Sequence, residues 1–536
     1  MHPLNISSLI SDRARELPDR TAVLSGGRAP TFAQLEADVA LLAAGLRAAG
    51  LKPGARVVLL ITPSADFIAL TFALYRAGAI TVLIDPGIGL PAMKRCLEEA
   101  APEAFAGVTK AHIARLLFGW APSSKLNITA GKKLFWGGLT LDDLRRMGNG
   151  AGDTMLHGIP ADTPETASIN FTSGSTGAPK GAVYTHAMLH AQAAMLKEYF
   201  DIKPGFTSVP TFPLFALFDV ALGLTIAIPE MDFTRPAAAD PAMLCRLMNG
   251  HKAVQLFGSP ALIDNLGRYG ERTGTRLPSL ERVISCGAPV RQAVIDRVSK
   301  MLRPGVPVHT PYGATEALPV ACISGGELAA IGPCFGVCVG KPWPGVEVSI
   351  IKISDGPIGE WSPGLGLPDG EIGEITVKGP VVSPSYFNRP DGDALAKIKG
   401  PGGEVYHRMG DAGWLDPEGR LWFCGRKSHR VVTAEGTLFT VPCEAVFNAH
   451  PEVRRTALVG TGPEGAKRPV VCVELEPGRT PRTGLTEELL AFGAAQRHTK
   501  GIKDILYHPG FPVDIRHNAK ISREKLAAWA ARRLGS

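Results

Sequence analysis

Long hydrophobic runs are missing from this sequence: its 536 residues contain no charge-free apolar stretch of about 18 residues, the length that a membrane-spanning helix needs. Residues 1–17 lack the basic start and unbroken apolar segment of a secretory signal, and their pattern predicts an amphipathic helix. Blocks of consecutive like charges are also missing, and the net charge of +7 is small for a chain of this length. We therefore expect a cytoplasmic protein with no transmembrane span that does not bind nucleic acid.

Cysteine is scarce as well. The nine cysteines are scattered and odd in number, which favours reduced thiols over a disulfide framework. Cys334 and Cys338 lack the second pair of ligands that a zinc site requires, and we expect both to be packing residues. The rest of the composition, with 45% hydrophobic and 20% charged residues, is that of a globular protein, and the length predicts two or more domains.

Short β-branched segments alternate with helical ones in the first part of the chain, which predicts an α/β fold with parallel sheets covered on both faces. The strand-like segments are residues 56–61, 80–84, 168–172, 253–256, 282–286 and 306–310, and an apolar helix is predicted at residues 66–77. Later strand-like segments, as at residues 345–353 and 373–379, are shorter and broken by Gly and Pro. We predict a large N-terminal domain of stacked α/β sheets plus a small β-rich subdomain in residues 1–425, followed by a small α+β C-terminal domain in residues 426–536.

A run of hydroxyls and glycines follows the strand-like residues 167–171 and ends in a lysine. Its members are Thr172, Ser173, Gly174, Ser175, Thr176, Gly177 and, after Ala-Pro, Lys180. Glycines let successive backbone N–H groups turn toward one anion, the hydroxyls add donors, and Lys180 supplies a compact positive charge, so the segment is typical of a phosphate-binding loop. It is not a Walker A motif, because Gly181 rather than Ser or Thr follows the lysine. The alternative, a flexible surface linker, needs neither the preceding strand nor the lysine.

This loop resembles the phosphate-binding signature of the adenylate-forming superfamily, which contains acyl-CoA synthetases, peptide-synthetase adenylation domains and luciferases. The segment Tyr312-Gly313-Ala314-Thr315-Glu316 agrees with that resemblance. The resemblance implies that Tyr312 flanks an adenine next to Gly313, that Thr315 contacts the α-phosphate, and that Glu316 holds magnesium, a cation that prefers oxygen ligands. Gly287, Ala288 and Pro289, which follow another strand-like segment, are similar to the adenine-side loop of the family. By themselves, these segments are also typical of ordinary strand-to-helix turns.

Asp411 and Arg426 match the family's ribose-binding and hinge stretch. An aspartate accepts hydrogen bonds from both ribose hydroxyls, and an arginine donates in a rigid fork. The alternative for Asp411 is a solvated loop acid. Residues 416–419 are more plainly a hairpin turn.

Near the C-terminus, Lys520 occupies the position of the lysine that family members deliver to the active site when a mobile C-terminal domain swings in. The resemblance implies that Lys520 is catalytic together with Thr315 and Glu316, and that the protein uses ATP and Mg²⁺. A point cation beside the substrate carboxylate and the α-phosphate offsets the charge that builds as oxygen attacks phosphorus. Without the other motifs, a lysine this close to the C-terminus is usually solvated.

The chain also departs from the acyl-CoA ligases of the superfamily. Ala216 stands where His is common, Ser428 where Asp or Lys is common, and Ala519 where Gly precedes the lysine, which weighs against a channel for coenzyme A. Together with residues 102–105, 111–112 and 117–120, these segments look like the β-lactone synthetases of bacterial long-chain olefin biosynthesis.

This second resemblance implies a long-chain 2-alkyl-3-hydroxyalkanoic acid as substrate, activated as acyl-AMP and closed by its own β-hydroxyl, and assembly with other enzymes of the olefin pathway. Two alternatives stay open: a long-chain fatty acid–CoA ligase or fatty acyl-AMP ligase, and a nucleotide-responsive binding protein without catalysis. Lys520 and Glu316 argue against the binding protein.

Two apolar regions are candidates for contact with the alkyl chains. The first contains Phe212, Phe215 and Phe218 and is typical of either an acyl pocket or a buried core. The second, residues 116–136, contains four aromatic residues and three lysines. It fits either a gate that touches lipid-like substrate or a partner enzyme, or a loop with a few packed aromatics.

Overall fold

The structure is a computed structural model that describes residues 4–152, 158–171, 179–332, 334–513 and 521–535. The helices are α1 (Ser8–Glu16), α2 (Phe32–Ala48), α3 (Ala65–Arg76), α4 (Leu90–Ala100), α5 (Thr109–Phe118), α6 (Leu141–Asn149), α7 (His186–Tyr199), α8 (Pro213–Ala221), α9 (Pro241–Gly250), α10 (Pro260–Thr273), α11 (Gln292–Ser299), α12 (Gly325–Ile331), α13 (Pro390–Ala396), α14 (Thr440–Asn448), α15 (Leu485–Ala494) and α16 (Arg523–Leu534). Short 3₁₀ turns occur at Pro86–Ile88, Pro236–Ala238, Pro363–Leu365 and Lys427–His429.

The strands are β1 (Val23–Leu24), β2 (Arg56–Leu60), β3 (Ile80–Ile84), β4 (Ala104–Val108), β5 (Leu126–Ala130), β6 (Leu139–Thr140), β7 (Thr166–Phe171), β8 (Gly181–Thr185), β9 (Thr207–Pro210), β10 (Thr225–Ala227), β11 (Gln255–Gly258), β12 (Arg282–Ser285), β13 (Val308–Ala314), β14 (Ala317–Ser324), β15 (Val337–Pro342), β16 (Glu347–Ile351), β17 (Gly373–Lys378), β18 (Lys397–Lys399), β19 (Val405–Leu415), β20 (Leu421–Arg426), β21 (Val431–Thr433), β22 (Gly436–Leu438), β23 (Val453–Thr461), β24 (Arg468–Leu475) and β25 (Asp504–Tyr507).

The first sheet has the order β6-β5-β4-β2-β3-β7-β8. Its strands run parallel except for β8, which pairs antiparallel with β7 and places Gly181 opposite Phe171. A Cβ at Gly181 would lie 2.6 Å from Cγ2 of Ile169, so close cross-strand packing requires glycine there. The strands predicted at residues 56–61 and 80–84 and the helix between them are confirmed as β2, β3 and α3.

The second sheet begins as the parallel order β1-β10-β9-β11-β12-β13 and continues through antiparallel strands β14, β15, β20, β19, β17 and β16, with β18 paired to β19. The antiparallel strands β15 to β20 form the predicted β-rich part. Apolar side chains of α2, α3 and α8 pack in one cluster between the sheets, which places the main core there.

Residues after β20 build a smaller α+β unit around the sheet β23-β24-β25. Successive side chains of a strand point to opposite faces, and both faces of this sheet are apolar. Leu458 and Val471 pack with Phe447 of α14 on one face, whereas Val459 and Cys472 pack on the other in a cluster that includes Leu526 of α16. The unit therefore has hydrophobic clusters of its own.

The α/β architecture with a larger N-terminal and a smaller C-terminal part agrees with the sequence analysis. The boundary between residues 425 and 426 and the mobility of the C-terminal part stay predictions. We expected Cys334 and Cys338 to be packing residues. This expectation is confirmed for Cys338, which is buried, and is wrong for Cys334, which is exposed. Among the described residues, no helix is both long and apolar enough to cross a bilayer.

Candidate active site

The hairpin between β13 and β14 carries Tyr312, Thr315 and Glu316. Ala314 pairs with Ala317, so Thr315 and Glu316 form a two-residue turn at the hairpin tip. The sequence places Tyr312 after a strand at residues 306–310, but β13 extends to Ala314 because its antiparallel pairing with β14 continues past the parallel part of the sheet. The backbone ladder therefore holds Tyr312 at the carboxyl edge of the parallel strands, where ligands bind in open α/β sheets.

The segment with Gly287, Ala288 and Pro289 lies at the same edge. It follows β12, whose Ile284 pairs with His309 of the neighbouring β13, so the two strands reach this edge side by side. Gly287 is exposed and has φ +97°, a conformation that side chains disfavour. The structure thus places this loop and Tyr312 on neighbouring strands at one edge of the sheet, and their contact with an adenine stays a prediction.

Asp411 is the centre of a buried polar cluster. It lies within β19 and is 4% exposed, so it is not a solvated loop acid. The Tyr312 hydroxyl donates to Oδ2 at 2.6 Å, and Arg426 Nη1 lies 3.0 Å from Oδ1. Burial raises the pKa of Asp411, and the Arg426 guanidinium opposes that rise. The pKa of Tyr312 is raised well above its ordinary value by burial and by the neighbouring carboxylate.

One oxygen of Asp411 is left without an aligned donor. Oδ1 is buried with no hydrogen-bond partner among the described residues, because Arg426 Nη1 directs its hydrogen bond to the Met409 carbonyl at 3.1 Å. Arg426 is one-third exposed and covers this oxygen. A carboxylate oxygen with a spare lone pair suits a hydroxyl donor such as a ribose.

Glu316 is held by a tyrosine that the sequence analysis did not single out. The Tyr386 hydroxyl donates to Glu316 Oε1 at 2.7 Å, and Ser383 N–H donates to the Glu316 carbonyl at 2.8 Å. Thr315 is fixed in the same way, since its carbonyl accepts from the Tyr184 hydroxyl at 2.6 Å. The hairpin tip is thereby oriented by contacts from two separate chain segments.

Two lysines face the Tyr386 ring. The Nζ atom of Lys180 lies 4.9 Å and that of Lys397 5.5 Å from the ring centroid. Lys397 is buried and donates to the Ser383 carbonyl at 2.6 Å; burial lowers its pKa to about 8, whereas Glu316 acts in the opposite direction. The predicted ligand Lys180 therefore lies in one cluster with Glu316, and the cluster combines a carboxylate with two cations suited to phosphate charge.

Tyr386 and Lys397 had no recognisable signal in the sequence. Tyr386 is 70 positions from Glu316, and backbone bridges of Tyr386 with Ala182 and of Val382 with Ala317 bring its segment to the hairpin tip. A lysine in a short strand is usually solvated, so the burial of Lys397 was not predictable from its residue type.

Several predicted site residues lie outside the described residues: Thr172, Ser173, Gly174, Ser175, Thr176, Gly177 and Lys520. The ends that flank them are described. β7 ends at Phe171, at the carboxyl edge of its sheet, directly before the glycine-rich segment, and Lys180 follows that segment. Their roles stay predictions.

The predicted acyl-pocket residues have different surroundings. Phe215 stacks on Phe257 of β11 with ring centroids 3.6 Å apart, and Phe212 lies 6.1 Å from Phe215 and is partly exposed. Phe218 packs against both the core between the sheets and the cluster around β14. Phe212 and Phe215 are therefore placed near the carboxyl end of β11, whereas Phe218 is mainly a core residue.

The sequence of this protein also matches a known protein family. The family described as AMP-binding enzyme matches residues 10–387, which is well over half of the chain. The chain belongs to the AMP-binding enzyme family. The strand ends and the hairpin that form the site all lie in or next to the matched region.

Two relatives resemble this AMP-binding enzyme over their full length. It is 49% identical over 548 residues to an olefin beta-lactone synthetase of Xanthomonas campestris pv. campestris, with 98% of this chain and 97% of the relative covered. It is 47% identical over 552 residues to an olefin beta-lactone synthetase of Stenotrophomonas maltophilia, with 99% of each covered. Among solved structures, an amide bond synthetase from Marinactinospora thermotolerans matches with a TM-score of 0.80 and 22% identity over 98% of this chain and 99% of that chain, which shows the fold.

Proposed function

We propose that this AMP-binding enzyme activates a long-chain 2-alkyl-3-hydroxyalkanoic acid with ATP and closes it to a β-lactone. The substrate carboxylate attacks the α-phosphorus of ATP, and pyrophosphate leaves. The β-hydroxyl oxygen then attacks the activated carbonyl carbon, the hydroxyl proton is lost, and AMP leaves. The observation that carries the proposal is the full-length similarity to two proteins named olefin beta-lactone synthetase.

In this proposal the nucleotide binds across the carboxyl edge of β12 and β13. The adenine lies between Tyr312 and the loop of Gly287, Ala288 and Pro289. A shift of the flexible Arg426 side chain opens the spare oxygen of Asp411 to a ribose hydroxyl. This arrangement accounts for a buried carboxylate whose hydrogen bonds are incomplete in the described residues.

The phosphates lie over the hairpin tip and the glycine-rich segment. Thr315 contacts the α-phosphate, and Lys180 offsets the charge of the outgoing pyrophosphate, next to the hydroxyl-rich residues 172–177. Glu316 offers the oxygen ligand that Mg²⁺ prefers, and the cation would neutralise phosphate charge there. Lys520 reaches the α-phosphate when the C-terminal part rotates.

The alkyl chains pack against Phe212 and Phe215. An internal hydroxyl needs no second substrate, so the ring-closing step requires orientation rather than a channel for coenzyme A. The changes at Ala216 and Ser428 are consistent with the loss of such a channel.

A product assay separates this function from acyl transfer to coenzyme A. Purified protein is incubated with ATP, Mg²⁺ and a 2-alkyl-3-hydroxy acid, with and without coenzyme A, and the products are identified by mass spectrometry. We expect β-lactone and AMP without coenzyme A. The matched 2-alkyl acid without the hydroxyl should stop at acyl-AMP. Strict dependence of AMP release on coenzyme A would instead identify a ligase that forms thioesters.

Substitution of Lys520 tests the adenylation step. Lys520→Ala should abolish formation of acyl-AMP while ATP binding stays close to wild type, because the lysine contributes to the transition state rather than to binding. Adenylate formation is measured as the release of pyrophosphate. ATP binding is measured by calorimetry. Lys525→Ala, which changes an exposed lysine of α16, is the control. Normal turnover of Lys520→Ala would remove the lysine from the mechanism.

A further inference from the structure

Six large apolar side chains are exposed together at the end of α5 and in the loop after β5. They are Ile113, Leu116, Leu117, Phe118, Leu134 and Phe135, and we call them the exposed apolar face. Phe135 is 82% and Leu117 73% exposed. Contiguous exposed apolar groups of this kind mark interaction sites in proteins that are otherwise well packed.

The loop that carries Phe135 is held firmly against α5. Trp136 stacks on His112 with ring centroids 5.1 Å apart, and its indole N–H donates to Thr129 Oγ1 at 3.0 Å. The Thr109 hydroxyl donates to the Lys132 carbonyl at 2.5 Å. Burial of Trp136 and His112 therefore fixes the loop, and Phe135 projects outward from it.

The charge around this face has one sign. Residues 104–141 contain five basic residues and no Asp or Glu. Lys110, Lys125, Lys132 and Lys133 are exposed, and none forms an ion pair with a carboxylate in the part of the chain that the structure describes. Lys133 donates to the Gly138 carbonyl at 2.9 Å. Exposed apolar side chains on segments that also carry exposed lysines are the pattern of a surface that meets anionic lipid headgroups.

We propose that the exposed apolar face and its lysines dock this enzyme on an anionic phospholipid bilayer. The apolar side chains enter the acyl boundary, and the lysines contact lipid phosphates. A second copy of the chain fits this surface poorly, because a symmetric interface would bring the same lysines of both copies together. The bilayer offers both the apolar layer and the negative charge that the surface matches.

The position of the face suits substrate delivery, an argument that rests on the proposed function. The loop with Leu134 and Phe135 follows the carboxyl end of β5, at the edge where β7 leads into the glycine-rich segment, whereas α5 begins at this edge after β4 and runs back along the sheet. β2 and β3 separate β4 from β7, which corresponds to about 14 Å at the usual spacing of strands. An acid with two alkyl chains resides in a bilayer, and docking at this edge shortens its path to the site.

Vesicle binding tests the docking without nucleotide or substrate, so its result is independent of the reaction. The full-length protein is sedimented with vesicles of phosphatidylglycerol and phosphatidylethanolamine, or of phosphatidylcholine alone. We expect binding to the anionic vesicles that weakens at high salt. The double variant Leu117→Asp with Phe135→Asp should lower the partition coefficient about tenfold or more. Lys132→Glu with Lys133→Glu should lower it by about fivefold or more for each lysine.

Matched controls use other exposed residues. Phe492→Asp changes a partly exposed phenylalanine of α15, and Lys500→Glu an exposed lysine, and both should bind vesicles like wild type. Melting temperatures confirm that each variant is folded. Equal binding of wild type to both kinds of vesicle, or equal binding by all variants, would overturn the proposal. So would a wild-type dimer in solution that Leu117→Asp with Phe135→Asp dissociates, since a second copy would then occupy the face.

Discussion

At the scale of one residue, Asp411 is a buried carboxylate whose contact with a ribose stays a prediction. A buried polar group without a partner costs free energy, so an orphaned carboxylate oxygen is retained where binding supplies the missing donor. Tyr312 satisfies the other oxygen, which orients the carboxylate.

Asp411→Asn should therefore weaken AMP binding by about 10- to 100-fold, the range for hydrogen bonds to a charged group. Calorimetry with AMP and with its 2′,3′-dideoxy analogue isolates the ribose contact. Wild type should bind the analogue more weakly than AMP, whereas the variant should discriminate little between them. Undiminished discrimination by Asp411→Asn would place the ribose elsewhere.

Asp219 is a second buried carboxylate, and it lies outside the nucleotide site. It is 4% exposed and accepts hydrogen bonds from Ser208 Oγ at 2.6 Å and Gln255 Nε2 at 3.0 Å. Burial raises its pKa from 3.8 to about 6. A raised pKa means that the folded state binds the proton more tightly than the unfolded state. The associated stability is fully present below about pH 4 and is lost as the pH rises through about 6.

Asp219→Asn removes this titration. We expect the melting temperature of the variant, relative to wild type, to be higher at pH 7 than at pH 4, with a corresponding free-energy change of at most roughly 3 kcal/mol. Scanning calorimetry at the two pH values measures the difference. A pH-independent offset for Asp219→Asn would contradict the pKa shift.

At the scale of elements, the crossing of α2 and α6 depends on two glycines. A Cβ at Gly45 would overlap the backbone oxygen of Leu144, and a Cβ at Gly148 would overlap that of Leu41. The two helix backbones are thus in direct contact, which only glycine permits. Both helices begin with capping boxes, at Thr31 and Thr140, so their starts are encoded locally.

Gly148→Ala should destabilise the protein by about 1–3 kcal/mol, because the added methyl forces the helices apart. Thermal unfolding measures the loss. Gly150→Ala is the matched control at the end of the same helix, since its nearest neighbour would be 3.7 Å away and its φ of −85° suits alanine. We expect it to be neutral or slightly stabilising. Equal effects of the two changes would show that the close crossing is not needed.

At the scale of the whole molecule, several contacts join the smaller C-terminal part to the rest. The Phe335 ring packs edge-on against His498 with centroids 4.7 Å apart, and Arg291 Nη1 donates to the Arg454 carbonyl at 3.2 Å. Lys427 and Arg430 add ion pairs with Glu374 and Asp355. The rotation that the proposed function requires would have to rearrange contacts of this kind.

An environment-sensitive fluorophore on Cys334, the exposed thiol among the described cysteines, reports on this junction. We expect its emission to change when ATP and substrate are added together, because rotation of the C-terminal part withdraws His498 from Phe335. Cys334→Ser, labelled in parallel, corrects for reaction at other thiols. An unchanged signal while acyl-AMP accumulates would argue against movement at this junction.

Much of the site was predictable because its segments have local signals. The glycine at position 287 follows a strand, Tyr312 and Glu316 follow another, and both strands are recognisable from their apolar runs. Tyr386 and Lys397 were not predictable, because the hydrogen bond of Tyr386 to Glu316 and the position of Lys397 over the Tyr386 ring depend on the pairing of strands far apart in the sequence. The extension of β13 was missed for the same reason, since only pairing with β14 defines it.

The amino-acid order by itself determined which segments become strands, helices and glycine turns, because hydrophobic period, capping and backbone freedom act between near neighbours. It also determined the family of this protein, through motifs that keep their order along the chain. Only the tertiary structure decided which charges are buried, which oxygen of Asp411 lacks a donor and which apolar residues stay exposed on α5. Burial and pairing are properties of packed elements, and residues distant in sequence supply the neighbours that set them.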